Sequence, residues 1–225
     1  MSRQPPTEQA VGTFILEPMD LPDIPEVTEI ERQSFAVMWP SDSYRREVLD
    51  NRMARYVVLR YRPAPGESVV LPPPPAPRRP FPLSIFSWLT PPPEPDSNPD
   101  RLPVVGYAGL WMMVDDAHIT TVAVRKEFRG QGLGKVLMLE MLEIAHQLGT
   151  RMVTLEVRVS NQVAIRMYED LGFQTKGVRP RYYTDNKEDA NIMWSQELQA
   201  LSTQHGLRRV KEQLQRRVQW EVRGT

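Results

Sequence analysis

Apolar and polar positions alternate along the chain in short β-like runs, separated by stretches with helical spacing. Val11 to Glu17 is β-rich and is broken by Pro18, after which Ile24, Val27 and Ile30, with Phe35 less regular, mark an amphipathic helix. A second short helix follows Trp39-Pro40, with Ser41 or Asp42 as its N-cap, and residues 54–62 (ARYVVLRYR) read as the next strand. Two further β-rich runs, 104–114 and 118–125, are joined by Asp115-Asp116-Ala117 in a hairpin-type connection. Leu133, Val136, Leu137, Leu139, Leu142, Ile144 and Ala145 give a helix with a wide apolar face that stops near Gly149. The spacing then predicts a strand over 151–159, a helix capped by Ser160-Asn161 through Leu171, and two strands around a polar loop in 173–198. Residues 207–222 read as a basic helix.

Composition changes this picture in one place. Residues 63–103 hold 15 of the 22 prolines, and proline removes ladder donors and fixes φ, so the segment reads as an insertion of polyproline type. Within it, 81–89 (FPLSIFSWL) is an apolar island that favours docking over solvation. The expected organisation is therefore one domain over 11–195, interrupted by 63–103, followed by a helical tail over 196–225.

Charge and chemistry narrow the function. Lys plus Arg and Asp plus Glu both count 28, so no net field draws the protein to nucleic acid or anionic lipid. With no cysteine and three scattered histidines, thiol catalysis is excluded and no metal site is expected. Neither a signal-like N-terminus nor an apolar run of about 18 residues is present, so a soluble, cytoplasmic protein is expected, away from membranes.

Gly130, Gly132 and Gly134 stand at alternate positions between a strand and a helix, where bare backbone amides can hold phosphate oxygens. A P-loop fails here, because Arg129 and Val136 occupy its glycine and Ser/Thr positions. The spacing is also wrong for a Rossmann fingerprint. Arg129-x-x-Gly132-x-Gly134 instead resembles the pyrophosphate loop of the GNAT acetyltransferases. The likeness runs from ITTVAVR before the loop through LEVRVSNQVAIRMYEDLGF (155–173) and RPRYYTDNKEDANIM (179–193), segments similar to RimI-type ribosomal-protein alanine N-acetyltransferases.

The resemblance implies an α/β GNAT fold: a mixed, twisted sheet of six or seven strands, splayed at its centre, with helices on both faces. It implies acetyl-CoA as co-substrate and, as acceptor, a protein N-terminus, the N-terminal alanine of a small-subunit ribosomal protein. Glu156 matches the family's general base, and Tyr168 the acid that protonates the departing thiolate. Val122, Ala123 and Val124 would pair with the pantetheine arm. Arg129, Gly130, Gln131, Gly132, Leu133, Gly134 and Lys135 would hold the pyrophosphate. Asn161 is either a CoA contact or only an N-cap. Tyr182 and Tyr183 would shape the slot for the acceptor's first residues, and Trp39 is similar to an aromatic before the second helix. With no cysteine, the amine would attack the thioester directly in a ternary complex.

Other readings stay open. The acceptor could be a lysine side chain or a small amine, and a non-catalytic CoA-binding scaffold could recruit partners through the proline segment. From Arg208 to Arg223, six basic residues stand against two acidic ones; a solvated helix is the simpler reading and a contact with ribosomal RNA the sharper one.

Overall fold

The computed structural model describes residues 12–68, 71 and 101–224, so most of the proline-rich insertion and its apolar island lie outside the described residues. In chain order the elements are β1 (Thr13–Pro18), α1 (Ile24–Ser34), α2 (Ser41–Leu49), β2 (Ala54–Arg62), β3 (Val104–Met112), β4 (Ala117–Val124) and α3 (Leu133–Gln147). They continue with β5 (Val153–Arg158), α4 (Gln162–Asp170), β6 (Gln174–Arg179), β7 (Ala190–Trp194), α5 (Leu201–Gln215) and β8 (Trp220–Val222). A single sheet has the order β6-β7-β5-β4-β3-β2-β1-β8. Strands β1 to β4 are antiparallel neighbours, β5, β7 and β6 form a second antiparallel group, and the groups meet in one parallel contact between β4 and β5.

Side-chain alternation builds a core on each face. Along β5, Val153, Leu155 and Val157 are buried between half-buried Thr154, Glu156 and Arg158. The larger core joins this face to α3 and α4 through Val136, Leu137, Met141, Ile165 and Leu171. The smaller core, with Val27, Ile30, Tyr44, Val58 and Tyr107, seats α1 and α2 on the opposite face. No described helix is long and apolar enough to cross a membrane.

Two local expectations change. Pro40, and neither Ser41 nor Asp42, occupies the N-cap of α2, and a proline offers no side-chain acceptor there. The tail is helical only over Leu201–Gln215; three residues then form β8, the eighth strand, parallel to β1. An open β1 edge explains the change, because a continued helix would leave it unpaired. Instead Phe14 N–H donates to the Gln219 carbonyl and Arg223 N–H to the Leu16 carbonyl, while Val218 is buried in the larger core.

The insertion leaves after β2 and returns before β3, at the end of the sheet where β4 stops: Arg60 pairs with Val104, and Gly106 with Val124. Ionic contacts lock this corner. Buried Arg60 binds Glu17 and, at 2.6 Å, the fully buried Asp23, and donates to the Leu102 carbonyl at 3.0 Å. Asp23 also takes Arg101 at 2.9 Å, so the start of α1 is fixed to the sheet through a carboxylate with no access to water. Arg60→Ala removes the Glu17 contact and leaves the buried Asp23 with Arg101 as its one cation among the described residues. It is expected to lower unfolding free energy by about 3 kcal/mol, the low end for breaking a buried pair, measured by urea titration.

Candidate active site

Strands β4 and β5 pair only at Ala117↔Val153 and His118↔Thr154. Beyond His118 they part, leaving the β5-facing edge of β4 without a strand partner from Ile119 onward. A cleft of about 1310 Å³ opens there, walled by α1, the glycine loop, α4 and the loop after β6. On the other edge of β4, Gly109 pairs with Thr121 and Leu110 with Ile119, so Thr120 is the extra residue of a bulge at the head of the splay. The unpartnered edge of β4 along Val122, Ala123 and Val124 therefore borders open space, where an extended chain can add as a strand.

At the far end of the cleft lies the glycine loop. Gly130 and Gly132 have φ of 79° and 85°, which a side chain would strain, and Gly132 is the N-cap of α3. No side chain caps α3, and its first turn carries no acid, so its leading N–H groups and positive dipole end face the cleft uncompensated. Leu133, Gly134 and Lys135 line it as well, and this bare, electropositive cradle fits a diphosphate. Gln131 is exposed and outside the lining. Two loop cations are engaged elsewhere: Arg129 donates through Nε to the Val124 carbonyl at 2.9 Å and through Nη2 to Ser34 Oγ at 2.9 Å, and Lys135 pairs with Asp170 at 2.7 Å. Asn161 borders the cleft and also caps α4, accepting from Ala164 N–H at 3.2 Å.

Glu156 sits beside the point where the strands part. Its Oε2 lies 3.1 Å from His118 Nε2 and its Oε1 3.1 Å from Arg179 Nη1, and the side chain is only 10% exposed. Burial and the Arg179 charge hold the His118 pKa below its ordinary value against the opposing pull of Glu156, so the imidazole is neutral near neutrality. A neutral ring facing a carboxylate carries its proton on Nε2. Tyr168, on α4, reaches the same cleft from the buried side; burial, with Tyr183 adding to it, raises its pKa, so it keeps its proton.

The expected tyrosine pair forms an outer wall. Tyr182 and Tyr183 meet edge to face at 5.1 Å, Arg158 lies over the Tyr183 ring at 3.8 Å, and Arg179 over Tyr182 at 5.2 Å. Arg158 also holds Asp185 at 2.9 Å and Glu188 at 3.1 Å, fixing the loop that carries the tyrosines. Trp39 lines the opposite wall, stacked on Tyr44 at 5.5 Å. Sequence alone does not single out His118 and Arg179. His118 shares a strand face with Thr120, an alternation that is visible, but its contact with Glu156 depends on the β4–β5 pairing.

A sequence profile of the acetyltransferase (GNAT) family matches residues 74–173. A Bacillus subtilis (strain 168) protein, provisionally named as a [ribosomal protein bS18]-alanine N-acetyltransferase, is 36% identical over 176 residues, 78% of this chain and 91% of that one. Among solved structures, the ribosomal-protein-S18-alanine N-acetyltransferase of Escherichia coli superposes with a TM-score of 0.58 at 23% identity, over 81% of this chain and 93% of that one. Arabidopsis thaliana NAA60 in complex with acetyl-CoA gives 0.57 at 16% identity, over 81% and 97%. These two likenesses concern the fold.

Histidine NMR tests the electrostatics. His118 is expected to titrate below about 6.5, lower still in Glu156→Gln, where the raising charge is gone, and higher in Arg179→Gln, where a lowering one is.

Proposed function

The chain belongs to the GNAT family of acetyltransferases and is an acetyl-CoA-dependent N-acetyltransferase; from that premise we propose that it acetylates protein N-termini, with the N-terminal alanine of ribosomal protein bS18 as acceptor. The observation that carries the reading is the Glu156 carboxylate held between His118 and Arg179 at the mouth of the splay. The named activity of the Bacillus subtilis relative supports the choice of acceptor.

Acetyl-CoA supplies the activated acetyl group when bound. Residues Val122 to Val124 offer backbone pairing to its arm, and Gly130, Gly132, Leu133 and Gly134 offer amides to its diphosphate. Arg129 acts here through its place in the loop, since its guanidinium ties β4 to α1. An α-amino group has pKa ~7.7–8.0 and arrives largely protonated. Glu156, with neutral His118 beside it, takes up that proton. Tyr168, protonated and buried, gives its proton to the sulfur as the C–N bond forms and the C–S bond breaks. The second proton, which the nitrogen loses on becoming an amide, restores the tyrosine, while the first leaves Glu156 for solvent. No cysteine is present to carry the acetyl group, so attack is direct, with both substrates bound.

The Tyr182-Tyr183 wall facing Trp39 favours an extended chain end over a lysine side chain held in mid-peptide. The catalytic unit is read as residues 11–195, interrupted by the 63–103 insertion, with the 196–225 tail completing the sheet through β8.

Mass spectrometry after incubation with acetyl-CoA tests the assignment. Peptides with a free N-terminal alanine, including the bS18 N-terminus, are expected to gain one acetyl group at the α-nitrogen. Glu156→Gln and Tyr168→Phe are each expected to lower kcat by about 10²-fold. Transfer confined to N-blocked lysine peptides would overturn the choice of acceptor.

A further inference from the structure

Four of the five carboxylates lining the cleft have cationic or imidazole partners. Glu156 has His118 and Arg179, Asp170 has Lys135, and Asp185 and Glu188 share Arg158. Glu31, in the last turns of α1, has no cation among the described residues. Its residue is 3% exposed; Oε1 accepts the Trp39 N–H at 2.9 Å, and Oε2 is buried without a hydrogen-bond partner. Such a group is costly to keep, since burying a charge is tolerated only when it is paired. Burial raises its pKa, opposed by the Trp39 N–H and the Tyr44 hydroxyl.

A line of hydroxyls relates Glu31 to the reacting end of the cleft. Tyr44, beside Glu31, meets the Tyr107 hydroxyl at 2.9 Å, and Tyr107 meets Thr121 Oγ1 at 3.4 Å, next to the β4 bulge. Glu31 therefore stands several hydrogen-bond lengths from the point where an acceptor amine would react. An extended chain advances about 3.3–3.6 Å per residue, so a long side chain from the second or third residue spans that separation. Phe35, Ala36, Val37 and Trp39 give the same wall an apolar surface for the stem of such a side chain.

We infer that Glu31 is a cation-accepting position of the acceptor slot, selecting protein N-termini that carry Lys or Arg at the second or third residue. The inference rests on the proposed N-terminal acceptor. The incoming ammonium or guanidinium supplies the cation that the carboxylate lacks among the described residues, in a site where water does not compete. Specificity then comes from charge, while Glu156 and Tyr168 serve every acceptor alike.

The test is kcat/KM for alanine-led peptides with Arg, Lys, Gln or Glu at positions two and three, in wild type and in Glu31→Gln. The amide keeps an acceptor for the Trp39 N–H and removes the charge. Wild type is expected to favour the basic peptides over the Gln peptides by about 10-fold or more, the scale of one charge-assisted hydrogen bond. In Glu31→Gln that ratio is expected to fall close to one, whatever the loss in absolute rate. A wild-type ratio near one, or a ratio that survives in Glu31→Gln, overturns the inference while the N-terminal assignment stands. If the wild type acetylates none of the alanine peptides, the assignment fails and the inference with it.

Discussion

Two pairs of residues hold the centre of this sheet together: Ala117 with Val153, and His118 with Thr154. A parallel contact that short cannot close the sheet along its length, and the place where it ends sets the position of the site. The exposed edge of β4, the bulge at Thr120 and the open cleft all begin within two residues of it. Each half has its own antiparallel ladder, and the larger core, with residues from both halves, packs across the gap. The fold can leave the gap because neither half needs the other's hydrogen bonds there.

Charge placement converts the gap into a site. At one end, α3 begins on Gly132 without a cap or an acid, which leaves a positive pole for an anion. Near the head of the splay, one carboxylate lies 3.1 Å from both an imidazole and a guanidinium, and the burial that lowers the histidine's pKa keeps it uncharged. The wall facing them, α1, is fixed to the sheet by the Arg60, Asp23 and Arg101 contacts, at the corner where the proline-rich insertion returns. Stability and chemistry thus share elements: the ions that anchor α1 also set the position of Glu31.

Local patterns are legible in the sequence, and pairings across the chain are not. The glycine loop, the alternation that puts Glu156 opposite Val157 and Leu155, and the Asn161 cap all lie within a few residues and can be read directly. His118 carries no signal of its own, because its importance comes from Glu156, 38 positions later, through a parallel contact of two residues. Arg179 comes from a third strand, two places away in the sheet order. The tail departs from its expected form for a related reason. Its basic, helical pattern is real through Gln215, but Trp220–Val222 is strand because β1, near the other end of the chain, offers an open edge. Gln131 lies within the loop expected to hold the pyrophosphate and still stands outside the cleft lining, since the turn it occupies exposes it.

Binding of acetyl-CoA in the splay is the point on which the chemistry depends. Hydrogen–deuterium exchange of the full chain, with and without acetyl-CoA, reads the backbone amides directly. Slower exchange is expected in two segments, Ile119 to Val124 and Gly130 to Lys135, with little change in β1, β2 and β8. Saturable binding that leaves both segments exchanging at the free rate, and slows amides elsewhere, would contradict it.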